Sequence, residues 1–225
     1  MTSPALRLFS LLARIQGSMS AQAFTFNAAR SPLLFAAHMT DDTQLLAAGL
    51  RRRDPDVLEA LIERYQQRLY RYLLFLTGNG ALAEDLFQET WVRVLERGHQ
   101  YNPKNKFESW LFTISRNLVI DASRHKKIAS LEEMGDPETE QSYDPPDDRA
   151  QSVLQMLVTR ENEKAIQLSL LKIAPYYREV LLLRFHEELP LEEIASVLAT
   201  PISTVKSRLY RGLEALKTAL PGGVA

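Results

Sequence analysis

A short run of basic and hydroxyl side chains near the C-terminus has the composition of a surface that binds nucleic acid. Val205 and Leu209, four residues apart, mark the inward side of a predicted helix. Its outward side then carries Thr204, Lys206, Ser207, Arg208, Tyr210 and Arg211. Arginine can make two parallel hydrogen bonds to guanine, and lysine and hydroxyl groups can hold phosphates or bases. The chemistry that this face favours is therefore noncovalent recognition of DNA.

The residues before this helix predict a helix-turn-helix, which places its second helix in a DNA major groove. The inward face of the preceding short helix consists of Leu191, Ile194, Ala195 and Leu198. Ala199-Thr200-Pro201 forms the turn, where such motifs favour glycine. An alanine in a left-handed conformation there costs about 1 kcal/mol. The alternative is a surface helix with a solvated basic face, and the preceding helix with its short turn favours DNA binding.

A second basic surface is predicted on a helix over 107–127, whose hydrophobic stripe is Phe107, Leu111, Ile114 and Leu118. Between residues 104 and 127 there are six basic residues and only two acids. The basic residues are Lys104, Lys106, Arg116, Arg124, Lys126 and Lys127, and the acids are Glu108 and Asp121. A local excess of positive charge suits the phosphates of DNA.

Helical elements must position this second surface. The pattern predicts a short helix from about Asp41 and a second that begins at Asp54-Pro55, with aspartate as the cap. The second has one apolar stripe, formed by Leu58, Leu61, Ile62, Tyr65, Leu69, Tyr72, Leu73 and Leu76. A third helix over about 81–97 has apolar residues on more than one side, so Phe87 and Trp91 belong either to the hydrophobic core or to a partner surface. For Trp110 the adjacent stripe favours core packing.

Two segments differ in composition from these helices. Residues 131–148 hold eight acids, no lysine or arginine, and three prolines, which predicts a flexible acidic linker. Residues 1–40 hold arginines but no acid and show no sustained period, which we interpret as a disordered extension or a start codon assigned too early, with Met39 as the alternative start. The expected organisation is a 41–128 domain, a linker and connecting helix over 129–160, and a 161–220 domain of four short helices. The predicted fold is all-α.

Composition excludes several classes of function. Cysteine is absent, which excludes disulfides, thiol catalysis and cysteine-based zinc sites. The four histidines are scattered, and no Gly-rich phosphate loop is present, so we expect no catalytic residue, no metal site and no cofactor. No apolar run approaches the ~20 residues of a membrane helix. A net charge of −1 is unusual for a protein that binds DNA unaided, so local charge or a partner must supply the affinity.

Three motifs in order resemble those of RNA polymerase sigma factors of the extracytoplasmic-function (ECF) class. They are AEDLFQETWVRVLERG (83–98), FESWLFTISRNLVIDASRHKK (107–127) and STVKSRLYRGLEALK (203–217). The resemblance covers residues 41–128 and about 161–220. It implies a 41–128 domain that binds core polymerase and the −10 promoter element, and a 161–220 domain that binds the −35 element. The protein is then not an enzyme but directs polymerase to promoters and promotes DNA opening.

The resemblance assigns a role to individual residues of this chain. The third helix would dock on the clamp coiled coil of the largest polymerase subunit through Asp85, Leu86, Gln88 and Glu89. The −10 element would contact Asn102, Lys104, Asn105, Lys106, Arg116, Asn117, Asp121, Arg124 and Lys127. The loop among them would hold a base flipped out of the non-template strand, on which an aromatic such as Tyr101 could stack. The −35 element would contact Ser203, Thr204, Lys206, Ser207, Arg208, Tyr210 and Arg211.

The same resemblance implies the partners and the compartment. The partners are core RNA polymerase, through its clamp coiled coil and flap, promoter DNA in duplex and single-stranded form, and an anti-sigma factor, all in the cytoplasm. The acidic linker is either a solvated tether or a mimic of nucleic acid in a polymerase channel. Three rival functions are a dimeric helix-turn-helix regulator, an enzyme and an anti-sigma or adaptor protein. The rivals lack support because 41–128 shows no ligand or catalytic motif and because two separate basic helices are present.

Overall fold

All regular structure in the part of the chain that the structure describes is helical, as the sequence predicts. The computed structural model describes residues 43–126 and 163–220. The chain divides into two compact units, one comprising Met1–Tyr70 with Gly80–Leu118 and the other Arg71–Asn79 with Val119–Ala225. The expected domain boundaries at 40, 128 and 160, with the acidic linker and residues 1–40, lie outside the described residues and stay predictions. No helix within the described ranges is both long and apolar enough to cross a bilayer.

Four helices and one short turn make up the N-terminal described range. They are α1 (Thr43–Arg52), α2 (Pro55–Thr77), α3 (Gly80–Arg97), a 3₁₀ turn (Gly98–Gln100) and α4 (Phe107–Lys126). All eight residues of the apolar stripe predicted for α2 are buried. The expected cap is also present, since Asp54 Oδ1 accepts a hydrogen bond from the Asp56 amide at 3.0 Å.

The end of α1 closes in a left-handed turn. The Asp54 amide donates to the Gly49 carbonyl at 2.9 Å, and the Arg53 amide donates to the Leu50 carbonyl at 3.2 Å. These two bonds are the pair that ends a helix through a Schellman motif. The motif requires a positive φ at its central residue, and Arg53 has φ +54°. An arginine therefore stands where glycine is favoured, because a side chain with a Cβ is strained in that conformation.

The C-terminal described range contains four α-helices, as predicted, and one segment that the sequence did not reveal. The helices are α5 (Glu163–Lys172), α6 (Pro175–Leu181), α7 (Leu191–Leu198) and α8 (Ile202–Ala219). A π-helical segment, Leu182–His186, continues directly from α6. Within this range, Arg178 donates to the carbonyls of Leu170, Leu171 and Ile173 around the end of α5. These bonds satisfy carbonyls that the helix end leaves unpaired, although burial lowers the pKa of the Arg178 guanidinium.

A glycine allows α8 to approach α6 closely. A Cβ placed on Gly212 would lie 3.3 Å from side-chain atoms of both Leu181 and Tyr177. Ala195 on α7, which the sequence placed on the inward face, is only half-buried. Gly212 was missed because a glycine inside a helical pattern carries no periodic signal.

Candidate nucleic-acid interface

The loop between the 3₁₀ turn and α4, residues 101–106, is built around a buried tyrosine. Tyr101 is 2% exposed, and its hydroxyl donates to the Asn105 carbonyl at 2.7 Å. Its ring lies 5.8 Å from the ring of Phe107 and 5.4 Å from that of Trp110, centroid to centroid. Burial, with a contribution from the charge of Glu108, raises the pKa of Tyr101 to about 12. Tyr101 therefore holds the loop from inside, and its buried ring is not presented for stacking on a base.

Backbone turns fix the tip of the 101–106 loop. The Asn102 side-chain oxygen accepts the Lys104 amide at 3.0 Å, and the Asn102 carbonyl accepts the Asn105 amide at 3.0 Å. These bonds shape the tip as an asparagine-initiated turn. Asn102, Lys104, Asn105 and Lys106 are all exposed. The amide nitrogen of Asn102 keeps its donor capacity, while its oxygen is already engaged in the turn.

An aromatic cluster joins this loop to α2 and the first turn of α4. Tyr65 on α2 stacks at 5.4 Å against Phe107, and its hydroxyl donates to Glu108 Oε1 at 2.6 Å. Burial, followed by the hydrogen bond to Glu108, raises the pKa of the Tyr65 phenol. The guanidinium groups of Arg64 and Arg68 each lie 5.6 Å from the Tyr65 ring centre. Trp110, half-buried, packs at the edge of this cluster, in agreement with its predicted packing role.

The predicted DNA-facing side of α4 is exposed along most of its length. Asn117, Asp121 and Arg124 are exposed and follow one another at helical spacing, and Arg116 is half-buried. Ile120, which lies between Asn117 and Arg124 in the sequence, is buried, and Leu118 of the predicted stripe is only half-buried. Lys127 lies outside the described residues.

The side of α3 predicted to bind polymerase is only partly exposed. Asp85 is exposed, Gln88 and Glu89 are half-buried, and Leu86 is buried. Glu89 also forms a 2.9 Å ion pair with Arg93 one turn later. The question left open for Phe87 and Trp91 is answered by burial, since both belong to the hydrophobic core. Among these residues, Asp85, Gln88 and Glu89 offer the accessible polar groups.

The helix-turn-helix forms, and its turn keeps the left-handed geometry that favours glycine. Ala199 has φ +50° and ψ +42°, so the turn is left-handed although that conformation strains an alanine. The Thr200 amide donates to the Ala195 carbonyl at 3.1 Å, which completes the turn. Ile194, Val197 and Leu198 are the buried residues of α7. Val205 and Leu209 are fully buried and anchor α8, as expected.

The polar side chains on the outward side of α8 are exposed or half-buried. Ser203 is exposed, and the rest of the set are half-buried: Thr204, Lys206, Ser207, Arg208, Tyr210 and Arg211. Arg208 lies 5.6 Å from the ring centre of Tyr176 on α6, and its Nε is buried. A cation on an aromatic face is held in place, so Arg208 also contributes to packing α8 on α6.

Comparisons with known proteins agree on one family. The family models described as Sigma-70 region 2 and Sigma-70, region 4 match residues 61–128 and 163–216. The chain is 32% identical over 173 residues to the ECF RNA polymerase sigma factor SigW of Bacillus subtilis, covering 76% of this chain and 92% of SigW. It is 31% identical over 169 residues to the RNA polymerase sigma factor CarQ of Myxococcus xanthus, covering 73% of this chain and 90% of CarQ.

A solved structure shows the same fold. The sigma factor RpoE of Bartonella quintana, in complex with the anti-sigma factor NepR, superposes with a TM-score of 0.53 at 20% identity, covering 70% of this chain and 92% of RpoE. The alignments with SigW and CarQ cover nearly the whole length of both relatives. The chain therefore belongs to the ECF class of RNA polymerase sigma factors.

Proposed function

We propose that this sigma factor reads the −10 element with the 101–106 loop and α4, reads the −35 element with α8, and promotes opening of the DNA. The observation that carries the proposal is the bond from Tyr101 to the Asn105 carbonyl, 2.7 Å long, inside the aromatic cluster. It fixes the loop before DNA arrives. A preformed receptor loses little entropy when it captures a base, so its binding energy can offset unstacking, which costs a few kcal/mol per base.

In this proposal, one surface binds single-stranded DNA and a different surface recognises duplex DNA. The exposed groups of Lys104, Asn105 and Lys106 suit a flipped base and its backbone, because an amide can read a base edge and an ammonium can hold a phosphate. Arg124 and Asn117 continue that surface along α4. The polar side of α8 enters the major groove of the −35 duplex, with Arg211 as the candidate for a two-bond contact to guanine.

Core polymerase supplies the remaining affinity and sets the spacing of the two DNA contacts. Asp85, Gln88 and Glu89 on α3 would contact the clamp coiled coil, with Leu86 supporting the helix from inside. The C-terminal helices would contact the flap. The net charge of −1 is consistent with weak DNA binding by the free protein.

An anti-sigma factor is the proposed regulator. RpoE of Bartonella quintana is a structural relative that was solved with the anti-sigma factor NepR. By analogy, a partner that covers α3 would block the docking of polymerase. Support would come from a protein that co-purifies with this chain and reduces the transcription that the chain directs. Substitution of Asp85 or Gln88 should release that protein from the chain.

Transcription with purified core polymerase on a promoter library tests the proposal. We expect specific start sites, with permanganate-reactive thymines just upstream of each start. The loop variant K104Q/N105A should lower permanganate reactivity several-fold while its association with core polymerase is unchanged. K172Q, at an exposed lysine on α5, is the matched control. If the loop variant initiates at specific sites and opens the DNA as well as the wild type does, the −10 assignment is wrong. If the chain affects transcription without binding core polymerase as its sigma subunit, the helix-turn-helix regulator is favoured.

A further inference from the structure

Three consecutive arginines at the end of α1 have no part in the assignments above. Arg51, Arg52 and Arg53 are all exposed. The end of α1 lies directly against the 3₁₀ turn, because a Cβ on Gly98 would come within 2.9 Å of the Leu50 carbonyl oxygen. The three arginines follow Leu50 immediately, so they begin at the point where α1 meets this turn.

The 3₁₀ turn runs straight into the loop that is proposed to hold a flipped base. The Tyr101 amide donates to the Gly98 carbonyl at 3.2 Å and closes the turn. Arg97, just before the turn, is exposed, as are Lys104 and Lys106 beyond it. We call Arg51, Arg52, Arg53 and Arg97 the arginine edge. The end of α1 contacts the 3₁₀ turn and the 101–106 loop follows that turn directly, so the edge and the loop lysines belong to neighbouring segments of the same compact unit.

The acids nearest in sequence to the arginine edge are Asp54, Asp56 and Glu96. Asp54 Oδ1 accepts the Asp56 amide as the cap of α2. Glu96 Oε2 pairs with Arg93 at 3.3 Å. Glu96 is thus paired with another arginine, and the four arginines of the edge outnumber Asp54 and Asp56, so the edge has a local excess of positive charge.

Local stability does not account for the third arginine. Basic residues in the last turn of a helix interact favourably with its dipole, which gives Arg51 and Arg52 a structural reason. Arg53 stands beyond the helix with φ +54°, where glycine would be less strained. A charged residue kept in a strained and exposed position at the border of a binding site points to a role in binding.

We propose that the arginine edge binds the phosphates of the promoter strand that flank the bases held by the 101–106 loop. The proposal rests on the proposed function for the identity of the DNA. Guanidinium groups suit this task because each can make two charge-assisted hydrogen bonds to a phosphate. Contacts of this kind are independent of base sequence and depend steeply on salt. The edge would therefore add affinity beside the −10 bases without adding specificity.

Salt-dependent DNA binding by the full-length chain measures the contact. The probe is a fluorescein-labelled single-stranded oligonucleotide of arbitrary sequence, titrated by anisotropy over a low-salt KCl series. Each phosphate contact contributes about 0.7 to the slope of log K against log salt for single strands. We expect R51Q/R52Q/R53Q to reduce the magnitude of the slope by about 2, since three contacts are lost. R53G alone should reduce it by about 0.7 while raising the unfolding midpoint, which separates loss of charge from loss of fold.

A charge-matched control decides between a local contact and a general effect of net charge. R71Q/K172Q/K217Q removes the same number of charges from exposed positions outside the candidate surfaces. We expect it to retain the wild-type slope. An equal loss of slope in this control would overturn the proposal. So would an unchanged slope in R51Q/R52Q/R53Q, or a wild-type chain that does not bind the oligonucleotide at the lowest salt.

The two proposals fail in different ways. A chain that does not initiate with core polymerase, but whose oligonucleotide binding depends on the arginine edge, would contradict the proposed function and leave the phosphate contact standing. If the chain initiates at specific sites but its oligonucleotide binding does not depend on the arginine edge, only the phosphate contact proposed for the edge is overturned. In the holoenzyme, R51Q/R52Q/R53Q should make open complexes more sensitive to salt-induced dissociation, with the same preferred −10 sequence.

Discussion

The hydroxyl of Tyr101 donates a 2.7 Å hydrogen bond to the carbonyl oxygen of Asn105, four residues along the same loop. The phenol ring is buried between Phe107 and Trp110, so one end of the bond is fixed to the hydrophobic core. The other end is the backbone of a residue whose side chain faces solvent. Through this relationship the fold determines where the proposed base-reading groups stand.

Replacing Tyr101 by phenylalanine removes the loop bond and keeps the ring. We expect the unfolding free energy to fall by about 1 kcal/mol, the net contribution of an ordinary hydrogen bond. Because the loop loses its fixed course, selection among −10 sequences should weaken more than binding to core polymerase does. Urea unfolding and selection from a −10 library by the holoenzyme measure the two effects.

Y65F is the matched control for that prediction. It removes another buried hydroxyl from the same aromatic cluster, the one that donates to Glu108 at 2.6 Å, and it leaves the loop bond intact. We expect a loss of stability at least as large as in Y101F, with −10 selection preserved. If Y65F broadens the selected −10 sequences as much as Y101F does, the effect is general destabilisation and the positioning role of Tyr101 is wrong.

The stability of the protein at alkaline pH should report the raised pKa of the buried Tyr101 phenol. Its pKa is raised from about 10 in the unfolded chain to about 12 in the folded protein. Between these values the unfolded state has lost the proton and the folded state retains it, so stability falls as pH rises. Below the unfolded pKa the contribution is fully present. We expect urea midpoints of Y101F to decline less than those of the wild type as pH rises through this window, and parallel curves would contradict the assignment.

Substitution of Ala199 by glycine should stabilise the protein. Alanine at φ +50° carries a left-handed strain of about 1 kcal/mol that glycine does not. The same substitution at Ala195, inside α7, should destabilise by about 1 kcal/mol because glycine is a poor helix former. Chemical denaturation of both variants checks the opposite signs. Destabilisation by A199G would show that the turn is not left-handed in solution.

Substitution of Arg211 tests the proposal that α8 reads the −35 duplex. If it makes a two-bond contact to guanine, R211Q should lose about 1–3 kcal/mol of discrimination at one base pair and little at the others. K217Q, an exposed position on the same helix, is the control and should leave the profile unchanged. Competition binding by the holoenzyme with single-substitution −35 duplexes provides the profile. An equal loss on every sequence would identify Arg211 as a phosphate contact instead.

Sequence periodicity predicted the helices because it reports burial directly. The stripe of α2, the Asp54 cap and the anchors Val205 and Leu209 all follow from the repeat of a helix and the chemistry of its ends. The sequence also showed that an alanine stands where this turn favours glycine, but that Ala199 accepts the strained left-handed conformation is visible only in the structure.

Features that depend on contacts between elements were not predictable in this way. Tyr101 looked available for stacking because a polar loop gives no sign that its aromatic residue is buried against α4. The close approach at Gly212 and the π-helical segment depend on how α6 meets α8, for which a single sequence has no signal. Arg53 was passed over because its left-handed conformation becomes visible only when the helix end is known.

In the proposed function, two DNA-binding surfaces that are each weak alone act as one promoter reader when core polymerase sets their spacing. Selection from a random duplex library by the free chain and by the reconstituted holoenzyme tests it directly. We expect the holoenzyme to select two sequence elements at a fixed separation, while the free chain binds in a salt-sensitive way without sequence preference. Recovery of the same two-element site by the free chain, or of no element by the holoenzyme, would contradict it.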